Sequence, residues 1–528
     1  MTRGFWRKNG VRRGVRILAT THLAPLWLAL RATPTVGPLV NRWIINSLVY
    51  TMRTRPGALS TMLPWTSWES LHDRTYSQRH LPPDPEFQAG LPAPAAVAAL
   101  FERRSAACEQ STRSTLLFPL FAQWFVDGFL RTDPRDDTKN TSTHDIDLSQ
   151  LYGQTADVTR MLRDGAGGRL KTEKSLSAEF PPYLCDPDGV VKAEFADLEI
   201  MFRGGDLKAD GGGPVPDALR SRLFALGIPR GNIHYGFVMM STLFLREHNR
   251  IAGLISAAHP DWSDDRVFDT TRNTLTVVLL KLVIEDYINH ITPIKFPLTV
   301  EPGIGASEKW YRQNWMSVEF NLLYRWHSLV PTEVTLGGRR RTFADLWWDT
   351  RPVTEHGLSA LFDEASRQPC STIRLGNTDA SMLAIEEKSI LIGRHAELAP
   401  YNDYRRACGF PALRSIGDLT ARPEVREALE RCYGRDIDRV ELFVGLFAED
   451  VRRGSTLPPV MSAMVAVDAF SQALTNPLLD PGVYGEATFS APGLAVLEET
   501  STLADVVRRN IAGEDPSPRV SLGRRRWR

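Results

Sequence analysis

In Leu322-Leu-Tyr-Arg-Trp-His-Ser-Leu-Val-Pro, a phenol at Tyr324 and an imidazole at His327 stand three residues apart. Helical spacing through Ser317–His327 puts both on one face, about one turn apart. An imidazole so placed can ligate a metal with the phenol beside it, whereas a lone histidine on an apolar helix is more often a hydrogen-bonded core residue. A second pair, Gln123 and Asp127 in Phe121-Ala-Gln-Trp-Phe-Val-Asp-Gly-Phe-Leu, is four apart on an otherwise apolar stretch. Burying both without partners is costly, so they ask for a polar pocket, unless Asp127 caps or pairs locally. Arg246-Glu-His-Asn looks like a metal or acid–base cluster but is assigned no chemistry, and Gly211-Gly-Gly-Pro lacks the strand–helix context of a phosphate cradle.

The elements that must hold these groups are helical. Apolar residues recur at three- and four-residue spacing through Leu116–Leu130, Tyr235–Ile255, Val267–Ile291, Ser317–His327, Ala380–Gly393, Arg422–Cys432, Val440–Phe447, Pro458–Thr475 and Val496–Ala512, with almost no alternating strands. His259-Pro260 and Thr292-Pro293 supply stops. The 528 residues are 43% apolar and 24% charged, which excludes a disordered chain. Five cysteines without a CxxC suggest neither a disulfide scaffold nor a zinc site.

The 63 Lys+Arg nearly cancel the 62 Asp+Glu, so no global field points to nucleic acid. Residues 1–68 nevertheless hold ten basic side chains and no acid. No apolar run reaches the roughly 18–20 residues that span a bilayer. Between Ile17 and Met52, short apolar bursts alternate with Arg31, Arg42 and Arg53, a pattern suited to amphipathic helices lying in a membrane interface. A secretory signal and a basic surface on an ordinary core helix pair are the rival readings. The expected organisation is mainly α: a basic membrane-binding segment over 1–60, one large catalytic domain over 61–514, and a frayed basic tail over 515–528.

Leu245-Arg-Glu-His-Asn-Arg-Ile, Ala258-His-Pro-Asp-Trp, Val283-Ile-Glu-Asp-Tyr-Ile, Glu319-Phe-Asn-Leu-Leu-Tyr-Arg-Trp-His, Asp436-Ile-Asp and Asn476-Pro-Leu-Leu with Thr488-Phe resemble the animal-type haem peroxidase superfamily, in its cyclooxygenase and fatty-acid dioxygenase branch. The resemblance runs from about Arg42 to Arg509, and Tyr-Arg-Trp-His resembles the form found in fungal linoleate dioxygenases, where cyclooxygenases have His in place of Arg325. It implies a large single-domain helical fold holding haem b. His327 matches the proximal ligand of the haem iron, and Tyr324 the tyrosine whose radical takes hydrogen from a fatty acid. Tyr287 matches that tyrosine's hydrogen-bond partner, Gln123 the distal glutamine, and Arg53 the arginine that pairs with the substrate carboxylate. The resemblance therefore implies a monotopic fatty-acid dioxygenase, peripheral to an intracellular membrane, with a fatty acid and O2 as substrates; the alternatives are a peroxidase acting on small reductants or a haem protein that has lost turnover.

Both alternatives rest on Asp127, which falls where the superfamily has its distal histidine, the base that moves a proton during peroxide cleavage; a carboxylate can shuttle protons if its pKa suits. Phe443 replaces a secondary redox tyrosine, Ala469 stands near the serine modified by aspirin, and Ile294 stands where a carboxylate-partner tyrosine is expected. Thr143-His-Asp-Ile-Asp-Leu-Ser resembles the calcium loop of the peroxidase and α-dioxygenase branches, with oxygens at Thr143, Asp145, Asp147 and Ser149. The superfamily's further ligand is replaced by Gly128, so either Asp127 serves calcium or the site is incomplete. The competing reading is that Asp147 and Ser149 start a helix towards Leu162.

Overall fold

Caps and stops act where the sequence puts them. In the computed structural model, which describes residues 9, 11–52, 62, 67–105, 107–175, 178–198, 215, 217–452, 454–511, 514 and 517–524, Ser263 accepts from Arg266 N to open a helix whose first turn is acidic and whose last turn carries Lys281, satisfying both the end groups and the dipole. The principal helices are α1 Val11–His22, α2 Ala24–Ala32, α3 Val36–Val49, α4 Leu117–Val126, α5 Tyr235–Ala258, α6 Asp264–Lys281, α7 Val318–Leu323, α8 Arg351–Arg367, α9 Leu383–His395, α10 Pro459–Leu474, α11 Glu486–Glu498 and α12 Leu503–Asn510.

Helix α5 is the axis of the core. Every residue from Tyr235 to Asn249 is buried, as expected of a helix that is packed on all sides. Helices α4, α6, α8, α11 and α12 lie against it. The α4–α5 crossing is close enough that a Cβ on Gly236 would lie 2.6 Å from Leu120. The polar run on α5 is architectural, as read from the sequence: Glu247 receives Arg250, Arg509 and Asn510, and His248 is held between the Tyr152 hydroxyl and Gly168 O at 2.8 Å each. Among the described residues, strands form only three two-stranded antiparallel pairs, β1 Gln110–Thr115 with β6 Pro369–Ser371, β2 Glu173–Ser175 with β3 Ala178–Phe180, and β4 Glu333–Leu336 with β5 Arg339–Thr342.

The structure departs from the periodicity in four places. The helix expected over Ser317–His327 stops at Leu323, and His327 opens a separate 3-10 turn, His327–Leu329. The helix expected over Val267–Ile291 turns π-helical through Leu282–Ile288. The stretch expected over Val496–Ala512 is the end of α11 plus α12, divided at Thr502, whose hydroxyl and amide both engage Asp505 in a capping box. The tail expected to fray is docked over residues 517–524: Leu522 is buried and its carbonyl accepts from Thr115 N, because an apolar side chain and a free strand edge meet there.

Helices α1–α3 bear on the membrane question. Helix α2 has no fully buried residue and touches the core through a half-buried Trp27 against Phe296, while α3 docks through Asn41 to Thr299 and Glu301 and through Asn46 to Glu308 and Trp310. Among the described residues no helix is long and apolar enough to cross a membrane.

Candidate functional site

Helix α4 has two faces. Phe118, Phe121 and Phe125 lie around the Tyr287 ring with centroids 5.6–6.1 Å away. Pro119, Ala122, Gln123, Val126, Asp127 and Leu130, at helical spacing, line a cavity of about 840 Å³, within the roughly 300–1,000 Å³ typical of pockets for organic ligands. Gln123 sits on the last full turn and Asp127 is the C-terminal cap residue. Both side chains of the pair line this cavity, and Asp127 also ends the helix, as its alternative reading had it.

The same cavity is also lined by Tyr324, Arg325, Trp326 and His327. Here the expected geometry needs correction: Tyr324 and His327 are not one turn apart on a helix. Tyr324 ends α7, and Trp326 has non-helical φ −89° and ψ 43°. Trp326 folds back so that its ring stacks on Tyr324 at 4.8 Å, and this stacking, not helical periodicity, brings the phenol and imidazole to one wall. His327 Nδ1 faces Glu386 Oε2 of α9 at 3.2 Å, off the line of a full hydrogen bond. Glu386 is wholly buried, and its other oxygen accepts from Thr378 at 2.8 Å.

Tyr324 and Tyr287 face each other. Neither hydroxyl closes a full hydrogen bond, yet each acts on the other's proton. Burial holds Tyr287 well above the ordinary phenol range, with Tyr324 adding to the rise. Burial also raises Tyr324, with Tyr287 opposing as donor. Both are therefore neutral phenols at any working pH, so Tyr324 holds a hydrogen atom it can give up and regain. The π-helical turn sets Tyr287 at this spot, and such turns recur at functional sites.

Opposite, His234 caps α5 and stands 2.8 Å from Gln123. Burial lowers its pKa to about 3. The sequence reading passed over His234 and Glu386; each reaches its partner through the fold, without a local spacing to announce it.

The walls fit a haem. An imidazole with its Nδ1 held towards a carboxylate is a suitable axial ligand. The floor is apolar, with Val330, Phe343, Ile385 and Ile392, and the rim carries Arg131, Arg135, Arg325 and Lys388.

The expected calcium loop gains no support. Thr143 Oγ1 donates to Asp147 Oδ2 at 2.9 Å, and Ser149 Oγ is 2.7 Å from both Asp147 Oδ1 and Gly128 O. Asp145 accepts from Asn314 at 3.1 Å. These oxygens satisfy one another, Asp147 and Ser149 start the short helix Ser149–Tyr152, and a Cβ on Gly128 would strike Gln150 at 2.2 Å. No group of three or more His, Cys, Asp or Glu side chains among the described residues could hold a metal ion. Arg53 lies outside the described residues.

A second, largely apolar pocket opens between α1, α3 and α10, lined by Ile17, Ile44, Leu48, Ile294, Ala466 and Phe470. It reaches Ile288, next to Tyr287, and its cations are Arg16 and Arg452.

Residues 100–519 match the animal haem peroxidase model, and the chain belongs to that family. Prostaglandin G/H synthase 2 of Equus caballus is 28% identical, over 93% of this chain and 80% of that protein. Prostaglandin G/H synthase 1 of Mus musculus is 29% identical, over 96% and 82%. Among solved structures, the fatty acid alpha-dioxygenase of Oryza sativa superposes with a TM-score of 0.67 at 16% identity, covering 97% of this chain and 95% of that one. Peroxidase A of Dictyostelium discoideum does so at 0.65 and 17%, covering 88% and 95%. The chain is thus a haem-peroxidase-family oxidoreductase, similar in sequence to the prostaglandin G/H synthases.

Proposed function

We propose that this protein is a haem-dependent fatty-acid dioxygenase in which Tyr324 relays oxidation from the haem cavity to the substrate. The observation that carries the reading is one cavity lined by His327, Tyr324, Gln123 and Asp127 together. Haem, which His327 would hold, would supply one-electron oxidising power once a lipid hydroperoxide has oxidised it. Tyr324 would give its electron to haem already oxidised by a lipid hydroperoxide, which leaves as the alcohol, and its proton to solvent, while the buried Tyr287 hydroxyl faces the phenol. The Tyr324 radical takes a bis-allylic hydrogen from an unsaturated fatty acid, O2 adds to the carbon radical, and the peroxyl radical recovers a hydrogen atom from Tyr324 to give the hydroperoxide. Catalysis by placement of this kind relies on a pre-organised wall.

We assign the fatty-acid chain to the apolar pocket lined by Ile288, which at about 120 Å³ must widen to admit it. Its carboxylate pairs with an arginine at the mouth, in the assigned role of Arg53; Arg16 and Arg452 are the described cations there. The leader lies on a membrane surface from which such a substrate enters: of the exposed large apolar side chains, Val15, Leu23, Leu26, Leu28, Leu39, Trp43 and Tyr50 fall on or between α1–α3 or directly after them, among basic residues that favour anionic lipid.

The second reading, a peroxidase acting on small reductants, is favoured only by the cavity itself and opposed by Asp127 at its distal wall. Mass spectrometry of products from a panel of unsaturated and saturated acids under O2 separates the cases. A mid-chain hydroperoxide from linoleate supports the proposal, oxygenation next to the carboxylate moves the assignment to α-dioxygenation, and oxidation of guaiacol with no lipid product replaces it with the peroxidase.

A further inference from the structure

His234 lies at the N-terminal end of α5, 1% exposed. Its surroundings decide where its proton sits. The Phe237 backbone N–H donates to Nδ1 at 3.2 Å, so Nδ1 carries a lone pair and the neutral ring must bear its hydrogen on Nε2. Nε2 is 2.8 Å from Gln123 Oε1, and that hydrogen is donated to the amide oxygen. A primary amide whose oxygen is engaged on one side presents its NH2 on the other, and Gln123 lines the cavity.

The histidine has little freedom to change this arrangement. Its backbone bridges to Trp347 and the preceding carbonyl, Ile233 O, accepts from Trp348 N at 2.9 Å. The Phe343 ring stands edge-on at 5.5 Å.

We infer that His234 is a positioning residue that locks the distal amide of Gln123 with its NH2 facing the cavity. The distal wall then offers one fixed hydrogen-bond donor beside one carboxylate, Asp127. This rests on the proposed haem site and deepens it. A locked donor stabilises a small anion bound at the iron, such as fluoride, which accepts hydrogen bonds. It does nothing for a neutral ligand such as imidazole. The amide cannot serve as a base, so proton acceptance on that wall falls to Asp127. The neutrality of His234, enforced by burial and by nearby Arg230, keeps the lock in one state across the working pH range.

The test has two arms. In the ferric haem-loaded protein, fluoride affinity read from the Soret band should fall roughly tenfold or more in H234F, the effect of losing a hydrogen bond to a charged group. Imidazole affinity and the thermal midpoint of the haem-loaded protein should change little. Q123L should lose the same factor, and the double variant no more than either single one. If H234F fails to fold, H234N retains an acceptor for Phe237 N while withdrawing from Gln123, and the same loss is expected. Fluoride affinity unchanged in a folded His234 variant, or additive losses in the double variant, overturns the inference. The second arm needs no haem: ring-15N-labelled histidine in the apoprotein, assigned by its loss in H234N, should show His234 as the neutral Nε2-protonated tautomer, with its Nε2 signal shifted by Q123L. An Nδ1-protonated tautomer, or no response to Q123L, refutes the lock even if the chain never binds haem. Failure to bind haem with the lock intact refutes the functional reading alone.

Discussion

The two walls of the cavity follow the family resemblance to different degrees. Of the residues the resemblance assigns to the proximal side, His327 and Tyr324 line the cavity, Tyr287 is buried among the α4 phenylalanines, and Glu386 lies beside the imidazole. On the distal wall Gln123 is retained, Asp127 stands in place of a histidine, and a different histidine, His234, arrives from α5 to hold the amide. The two walls serve different steps. Taking hydrogen from a lipid and returning it needs a protected phenol near an oxidant, whereas cleaving peroxide needs a proton carrier above the iron. On the proposed reading the first set of groups is intact and the second is rebuilt, which predicts a chain that oxygenates lipid well and turns over peroxide poorly.

The largest expected effect is on the proximal wall. His327→Ala should abolish the Soret band of the reconstituted protein and all O2 uptake with linoleate; a retained band would move the axial ligand elsewhere. Next comes the distal wall. Asp127→His should raise guaiacol oxidation by hydrogen peroxide, by up to about 10²–10⁴-fold, the range for a positioned acid–base group, with lipid oxygenation changed far less. An unchanged peroxidase rate would mean that the distal step is limited by something other than proton transfer.

Acid provides a third comparison. Burial holds His144 to about 4 and His234, His248 and His290 to about 3. The unfolded chain protonates such groups near pH 6.5 and the folded one does not. Their contribution to stability is therefore complete above that pH and is lost as pH falls towards 3–4, at about 1.4 kcal/mol per pH unit for each group. The urea midpoint should fall steeply between pH 6.5 and 4.5, with an uptake of about four protons on unfolding if all four behave alike; a flat profile would contradict their burial as neutral rings. The smallest effect belongs to the leader: Leu39→Asp with Trp43→Asp should weaken binding to anionic vesicles while leaving O2 uptake from detergent-dispersed linoleate unchanged, and unaltered vesicle binding would place the membrane contact elsewhere.

Much of this was legible in the sequence. The helices appear as three- and four-residue spacing because a core helix must repeat its apolar side chains with the helical turn. The pocket-facing pair on α4 stood out as two polar groups in an apolar run. Tyr324 and His327 both line the cavity, but the spacing of three suggested one helix, whereas the helix ends at Leu323 and the non-helical Trp326 between them stacks locally on Tyr324. The π-helical turn that carries Tyr287 has no local signature in the apolar spacing, and the rings it meets, Phe118, Phe121 and Phe125, are distant in sequence. His234 and Glu386 were invisible because each meets its partner only after the chain has folded, and the Leu522 anchor was hidden in a basic tail for the same reason. The calcium motif shows the converse, a spacing of oxygens that suited a cation and that hydrogen bonding within the loop explains.

The central claim is that Tyr324 carries the radical, and the most direct measurement is O2 uptake by the haem-loaded protein with linoleate and a trace of hydroperoxide, comparing the parent with Tyr324→Phe while confirming equal Soret absorbance. The account expects uptake in the parent and none in the variant, with a tyrosyl signal in freeze-quenched samples of the parent only. Uptake by the variant at the parent's rate, with the haem in place, would contradict it.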